Sequence, residues 1–240
     1  MPTLTLSRIG TEALDDPTTD PVLVARMLRD ITRSNRWLGG AAAMRFGLAQ
    51  LLQPSDRGET LTLFDVGTGA ADLPLDARRW ARRRGVSLVP LALERIPAAA
   101  RVAREAGVPV ILGCASALPL GPNSVDLVLL SQVAHHLDAD CATQLFAAAS
   151  RIARRGVVVA DLRPMLLART GFRLAGVLLR FHPLTVDDGV TSLRRGFTVP
   201  QLRTLCRRAG AASVKVVARP GARIVAWWRT NETTATSHAP

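Results

Sequence analysis

The residues of this sequence that could do chemistry follow apolar runs. Residues 61–64 lead into Asp65-Val66-Gly67-Thr68-Gly69, and Ala70-Ala71-Asp72-Leu73 follows. Gly67 and Gly69 let the backbone turn sharply and come close to a ligand, and a helix opening at Asp72 or Leu73 aims its free N–H groups at the same place. That is a nucleotide cradle; a turn using glycine for geometry alone is the competing reading. The position three after Gly69 holds Asp72 rather than glycine, which disfavours a close pyrophosphate and hence a nicotinamide dehydrogenase. The run 88–93 ends in Glu94, where an acid can accept both hydroxyls of a ribose. Ser131-Gln132-Val133-Ala134-His135-His136-Leu137 follows another apolar run. A neutral imidazole there is suited to take a phenolic proton. Adjacent histidines cannot both face a pocket from one local geometry, so His135 or His136 is a candidate general base, and a structural role for the pair is the competing reading. His182 and His238 are remote, and no metal site is expected. Asp161 ends a further apolar run, where it could orient an acceptor or pair with Arg163.

These groups need a scaffold, and the pattern between them supplies one. Buried-type strands at 61–66, 87–93, 108–113, 125–130 and 156–161 alternate with helices at 73–84, 96–106 and 139–154. Right-handed crossovers give a doubly wound α/β sheet with its ligand at the carboxyl ends of the strands. Asp65, Glu94, Cys114, Ser131 and Asp161 all fall at predicted carboxyl ends. Before the first strand, residues 1–19 are polar and loosely held. Asp20-Pro21 starts a helix to Ser34, residues 35–40 break it, and a second helix runs over 41–52, with a linker at 54–58. After strand 5 the alternation stops. Residues 165–181 form a helix that Gly171 and Gly176 weaken, with Arg169, Arg173 and Arg180 on one stripe and Leu166, Leu174, Val177, Leu178 and Phe181 largely off it. It suits a lid over a hydrophobic substrate or a membrane-surface contact. Residues 182–189 read as a loop. Thr198 caps a helix to about Ala209, and 214–218 and 224–228 form a closing antiparallel pair.

The 240 residues carry a net charge of +12, and every basic residue but Lys215 is arginine. That balance suits RNA, an anionic membrane or an anionic substrate, although arginines this widely spread also fit a solvated surface. With 48% apolar residues the chain is globular, and with no tyrosine no role falls to one. Cys114, Cys141 and Cys206 fit neither a disulfide framework nor a CxxC metal site, so a cytoplasmic protein is expected. No signal peptide or transmembrane run is seen.

Asp65-Val66-Gly67-Thr68-Gly69, Glu94, then Gly113-Cys114-Ala115-Ser116-Ala117-Leu118-Pro119-Leu120 with Ser124-Val125-Asp126-Leu127-Val128, and lastly Val133-Ala134-His135-His136-Leu137, stand in the order of class I S-adenosylmethionine-dependent methyltransferases. Over residues 61–229 the chain resembles that family, and within it the small bacterial type related to ubiquinone and menaquinone methyltransferases and phenolic natural-product methyltransferases. The resemblance implies a Rossmann-like, doubly wound seven-stranded sheet (58–230) with an N-terminal helical cap (1–57), a lid insertion after strand 5 (163–197) and a flexible tail (231–240). It implies S-adenosyl-L-methionine as cofactor and S-adenosyl-L-homocysteine as product, held by Asp65, Gly67, Thr68, Gly69, Glu94, Arg95, Cys114, Ala115 and Ser131. Cys114 departs from the family's usual Asp, so adenine would be read by backbone near Ala115 or by a neighbouring side chain, under cover of Leu118. His135, His136 and Asp161 are the catalytic candidates, and Trp37, Arg194 and Arg195 the acceptor-binding ones. The implied reaction is O-methylation of a small phenolic, polyketide or quinone-like metabolite. C-methylation of a quinone or phenol, RNA methylation, and a non-catalytic scaffold are the alternatives. The expected partner is a small hydrophobic aromatic substrate, with no stable nucleic acid partner, a peripheral membrane contact, and a monomeric or homodimeric state.

Overall fold

The computed structural model describes residues 12–16 and 18–230. The expectations of a loose start and a flexible tail fall outside this range for residues 1–11, 17 and 231–240. Seven strands form one sheet: β1 (Thr60–Val66), β2 (Ser87–Glu94), β3 (Val110–Leu112), β4 (Val125–Ser131), β5 (Ala153–Leu162), β6 (Lys215–Arg219) and β7 (Arg223–Arg229). Their order is β3-β2-β1-β4-β5-β7-β6. The first five run parallel, while β7 is antiparallel to both β5 and β6. The order reverses between β1 and β4, so a crevice opens at their carboxyl ends.

The apolar runs form central strands because both faces of the sheet are covered. Leu63, Leu127, Leu129 and Val158 pack on Met44 and Leu48 of α2 (Gly40–Leu51) and on Ala77 and Trp80 of α3 (Asp72–Arg82). Phe64, Val128, Leu130 and Val157 face the other way, onto Phe146 of α5 (Ala139–Ile152) and Leu202 and Leu205 of α8 (Val199–Arg208). Each such side chain contributes about 1.5–3 kcal/mol on burial. Pro90 is tolerated inside β2 because β3 pairs only with Ala92 to Glu94, so the missing N–H interrupts no outer ladder.

The N-terminal helix α1 (Pro21–Trp37) starts where Asp20 accepts from the Val22 amide, with Pro21 in the first turn. It runs three residues past the expected stop at Ser34, because nothing in Asn35-Arg36-Trp37 breaks a helix. Gly39, at φ +89°, makes the turn into α2. A further flanking helix, α4 (Pro97–Glu105), packs beside α1 through Ile96, Ala99, Val24 and Leu28.

After β5 the chain forms two helices, α6 (Leu166–Leu178) and α7 (Pro183–Arg195). The loop read over 182–189 is therefore mostly helix. His182 caps it through Nδ1 to the Leu184 amide at 3.3 Å, and Pro183 sits where a missing N–H costs nothing. Asp187-Asp188-Gly189, a turn signal in isolation, is overridden by packing. A Cβ on Gly189 would collide with the Phe172 ring of α6, and one on Gly176 would lie 2.6 Å from Val186 of α7. Gly176 and Gly189 are where the two helices approach, not weak points in them.

Candidate active site

A cavity of about 1320 Å³ occupies the crevice above β1 and β4. It exceeds the roughly 300–1,000 Å³ of a site for one small ligand, so there is room for two. One end is the glycine turn. Gly67 (φ +72°) and Gly69 (φ +55°) adopt the left-handed conformation that favours glycine, and a Cβ on Gly67 would collide with Val133. Gly67→Ala should destabilise the fold by about 1–3 kcal/mol, measured by denaturant unfolding.

Glu94 organises the cradle. Its Oε2 accepts from Gly69 N at 2.8 Å, and its Oε1 from Arg95 N and Ile96 N at 2.8 and 3.0 Å. Asp65 is fully sunk behind it. Burial first, and then the charges of Asp72 and Glu94, push its carboxyl up to about 8 against the Thr68 hydroxyl. Asp65 Oδ1 has no hydrogen-bond partner among the described residues. Burial likewise raises Asp72 to about 6, although Asn35 Nδ2 donates to it at 3.1 Å. Among the described residues no cationic side chain hydrogen-bonds these three carboxyl groups, an environment that favours a positively charged neighbour. Thr68, Cys114, Ala115 and Ser131 also line this end. Cys114 is exposed, and Ser116 is the main group lowering its thiol.

At the other end stand the histidines. His135 is buried, and its Nδ1 lies 2.6 Å from Asp161 Oδ1. The Asp161 carboxylate also accepts from Leu162 N at 2.7 Å and from His135 N at 3.3 Å. Burial alone would raise Asp161, but the imidazole and these amides bring it below the usual carboxylate range. The carboxylate fixes the proton on Nδ1, which leaves the Nε2 lone pair buried and without a partner among the described residues, on a ring that lines the cavity. Asp161 itself has no exposure and is not on the cavity wall, so it orients His135 rather than an acceptor. Nor does it pair with Arg163, whose Nη2 lies against Met165 Sδ.

His136 is engaged differently. Its ring sits 3.3 Å from Asp15, 3.8 Å from Glu12 and 3.5 Å from Arg195. Residues 12–16, expected to be loose, form a strap over this end. Asp188 accepts from Ala13 N, Ser192 and Arg195 donate to Glu12 at 2.8 and 3.1 Å, and Arg95 donates to the Asp15 carbonyl. Glu12, His135 and His136 present ligand atoms within 4.8 Å of one another. The Arg195 guanidinium also pairs with Glu12, at 3.1 Å.

Of the acceptor candidates, Arg194 and Arg195 line the cavity, and Arg195 is tied to Glu12. Trp37 is outside it: the side chain is 64% exposed and lies under Arg36. Sequence reading missed Glu12, Asn35, Gln132 and Arg223. Gln132 adopts φ +55°, held by Asn35 Oδ1 at 2.8 Å and Arg223 Nη1 at 2.7 Å. A polar residue directly after a strand end was the available signal for Gln132; Glu12 and Arg223 gave none.

Residues 64–160 match the family described as methyltransferase domain. Among solved structures, an S-adenosylmethionine-dependent methyltransferase of Aquifex aeolicus shares 16% identity, covering 88% of this chain and 98% of that one, with a TM-score of 0.56. Human N-acetylserotonin methyltransferase, solved with S-adenosylmethionine, shares 14% over 88% of this chain and 56% of that one, TM-score 0.59. Magnesium protoporphyrin IX methyltransferase of Synechocystis, solved with S-adenosylhomocysteine, shares 13% over 80% and 83%, TM-score 0.54. These likenesses concern the fold. No curated protein matches the chain.

Proposed function

We propose that this chain, whose residues 64–160 match a methyltransferase domain, is a class I S-adenosylmethionine-dependent methyltransferase that methylates a phenolic oxygen of a small aromatic, polyketide or quinone-like metabolite, with His135 as the general base. The observation that carries the reading is the Asp161–His135 pair: a carboxylate on Nδ1 at 2.6 Å and an unpartnered Nε2 on a ring of the cavity wall.

The cradle fits the cofactor. Asp65, Asp72 and Glu94 are carboxyl groups whose ionised forms a bound sulfonium and ammonium would favour, Glu94 stands where ribose hydroxyls are accepted, and glycine leaves the floor clear of a Cβ. When bound, S-adenosylmethionine supplies an electrophilic methyl group. The chain's own residues hold the reactants and move the proton. His135 Nε2 accepts the phenolic proton, and Asp161 stabilises the imidazolium that results. The strap and α7 exclude water through Glu12, Ser192 and Arg195. Leu14, Met165, Leu167, Phe172 and Leu193 give the acceptor end an apolar wall, which favours a greasy ring over a nucleic acid base. Three cysteines without a disulfide suit a cytoplasmic, metabolite-modifying enzyme.

The test is a panel of phenols, hydroxyquinols and RNA incubated with the protein and S-adenosylmethionine carrying a labelled methyl group. Label appearing as an aryl methyl ether is expected. Label on a ring carbon would move the assignment to C-methylation, and label on RNA would overturn it.

A further inference from the structure

Helix α6 is apolar on the side it turns away from the protein. Among the described residues, ten large apolar side chains stand exposed, and Leu166, Leu167, Leu174, Val177 and Leu178 account for half of them. At 3.6 residues per turn these five share an arc of about 120°, in which only Thr170 is polar. The inner side of the same helix packs on α7 through Phe172 and Gly176. A helix apolar on both sides would belong in an interior, but this one has protein on one side only. Arg169 and Arg173 border the outer arc and Arg180 follows it. Arg26, near the exposed Val22 of α1, reaches the same corner by donating to the Arg180 carbonyl at 2.9 Å. Where α6 begins, Arg169 and Arg194 line a shallow groove with Leu166 and Leu193. Leu167 belongs both to the outer arc and to the wall of the active-site cavity.

We propose that α6 is an interfacial docking helix that seats the mouth of the cavity on an anionic phospholipid surface. No helix among the described residues is long and apolar enough to cross a membrane, so the helix lies in the plane of the interface. An apolar stripe edged by arginines matches acyl chains edged by acidic headgroups. A second copy of the chain matches less well, because a two-fold pairing of α6 would bring arginines of like charge together. Continuity through Leu167 lets a lipophilic acceptor pass from the bilayer into the cavity without crossing water.

The experiment is co-sedimentation of the full chain with vesicles of phosphatidylcholine alone or mixed with phosphatidylglycerol, at low and high salt. It is run beside the double variant Leu174→Asp, Leu178→Asp, whose positions do not line the cavity. Binding to the anionic vesicles is expected, weakened by salt and at least about tenfold weaker in the variant. Calorimetric titration with S-adenosylmethionine, unchanged in the variant, shows that it is folded and separates this result from any failure of the catalytic reading. Binding that is absent, equally tight on neutral vesicles, or undiminished in the variant overturns the proposal. So does a dimer in light scattering that the double substitution splits while neither protein binds vesicles.

Discussion

Asp65→Asn is expected to remove most of the affinity for S-adenosylmethionine and, in the unliganded protein, to raise the melting temperature at alkaline pH. Both effects come from one buried carboxyl whose pKa stands at about 8, against about 3.9 in an unfolded chain. The folded state holds this proton more tightly than the unfolded state. Stability therefore falls as pH rises from about 4 towards about 8, by up to about 1.4 kcal/mol per pH unit, and levels off above that. Asparagine keeps the shape and cannot titrate, so the variant loses that slope. The two proteins should melt together at pH 4 and below and separate by about 10–20 °C at pH 8 to 9, since the accumulated slope amounts to about 5 kcal/mol and about 1 kcal/mol moves a chain of this size by about 2–4 °C. A cationic ligand favours the ionised carboxylate. Wild-type affinity should climb towards pH 8, by at most about tenfold per unit, and then flatten. In the variant only the rise up to about pH 6 that Asp72 gives should remain, with affinity flat from there to pH 8 and about 100-fold weaker than wild type at pH 8.5. Calorimetric titration and thermal melts across pH decide it. Equal pH slopes in the two proteins would mean that Asp65 is already ionised without ligand.

The same residue shows what could be read from the chain. Asp65, Gly67, Gly69 and Glu94 are near one another in sequence or end adjacent parallel strands, and βαβ spacing alone brings them together. The central strands were legible because both faces of the sheet are buried, so their runs are continuously apolar. The edges were less so: the expected strand 108–113 shrinks to Val110–Leu112. Trp37 and the strap failed for a different reason. Glu12 reaches Ser192 and Arg195 across 180 and 183 positions, a contact that depends on how α7 lies and that no local spacing encodes. Trp37 looked like a wall because aromatics beside glycines often are, yet Gly39 turns the chain after the ring has already emerged into solvent. In α6 and α7 local rules misled outright. Gly189 signals a turn by propensity, but the Phe172 ring against it gives a helix a reason to carry glycine there.

Asp161→Asn should lower turnover on phenols by about 10²–10⁴ and leave S-adenosylmethionine affinity within about twofold. Asp161 Oδ1 now accepts from both His135 Nδ1 and Leu162 N, and Oδ2 faces His135 N. An asparagine has one oxygen for the amides, so its NH₂ group turns to the ring. Nδ1 then becomes an acceptor, the proton moves to Nε2, and the ring can no longer take a proton from the acceptor. His135→Ala should cost about as much, and the double variant little more, because the two residues act as one unit. His136→Ala should cost less: it sits among Glu12, Asp15 and Arg195, so its loss perturbs the strap rather than the base. The discriminating readout is the acidity of the acceptor. A phenol already ionised at the assay pH needs no base, so Asp161→Asn and His135→Ala should regain most of their rate on nitrophenols while staying slow on alkylphenols. A purely structural role would slow both acceptors alike and change affinity for the cofactor as well. That pattern, or a loss carried mainly by His136→Ala, would remove His135 from the chemistry and leave Asp161 a buried anchor for the turn after β4.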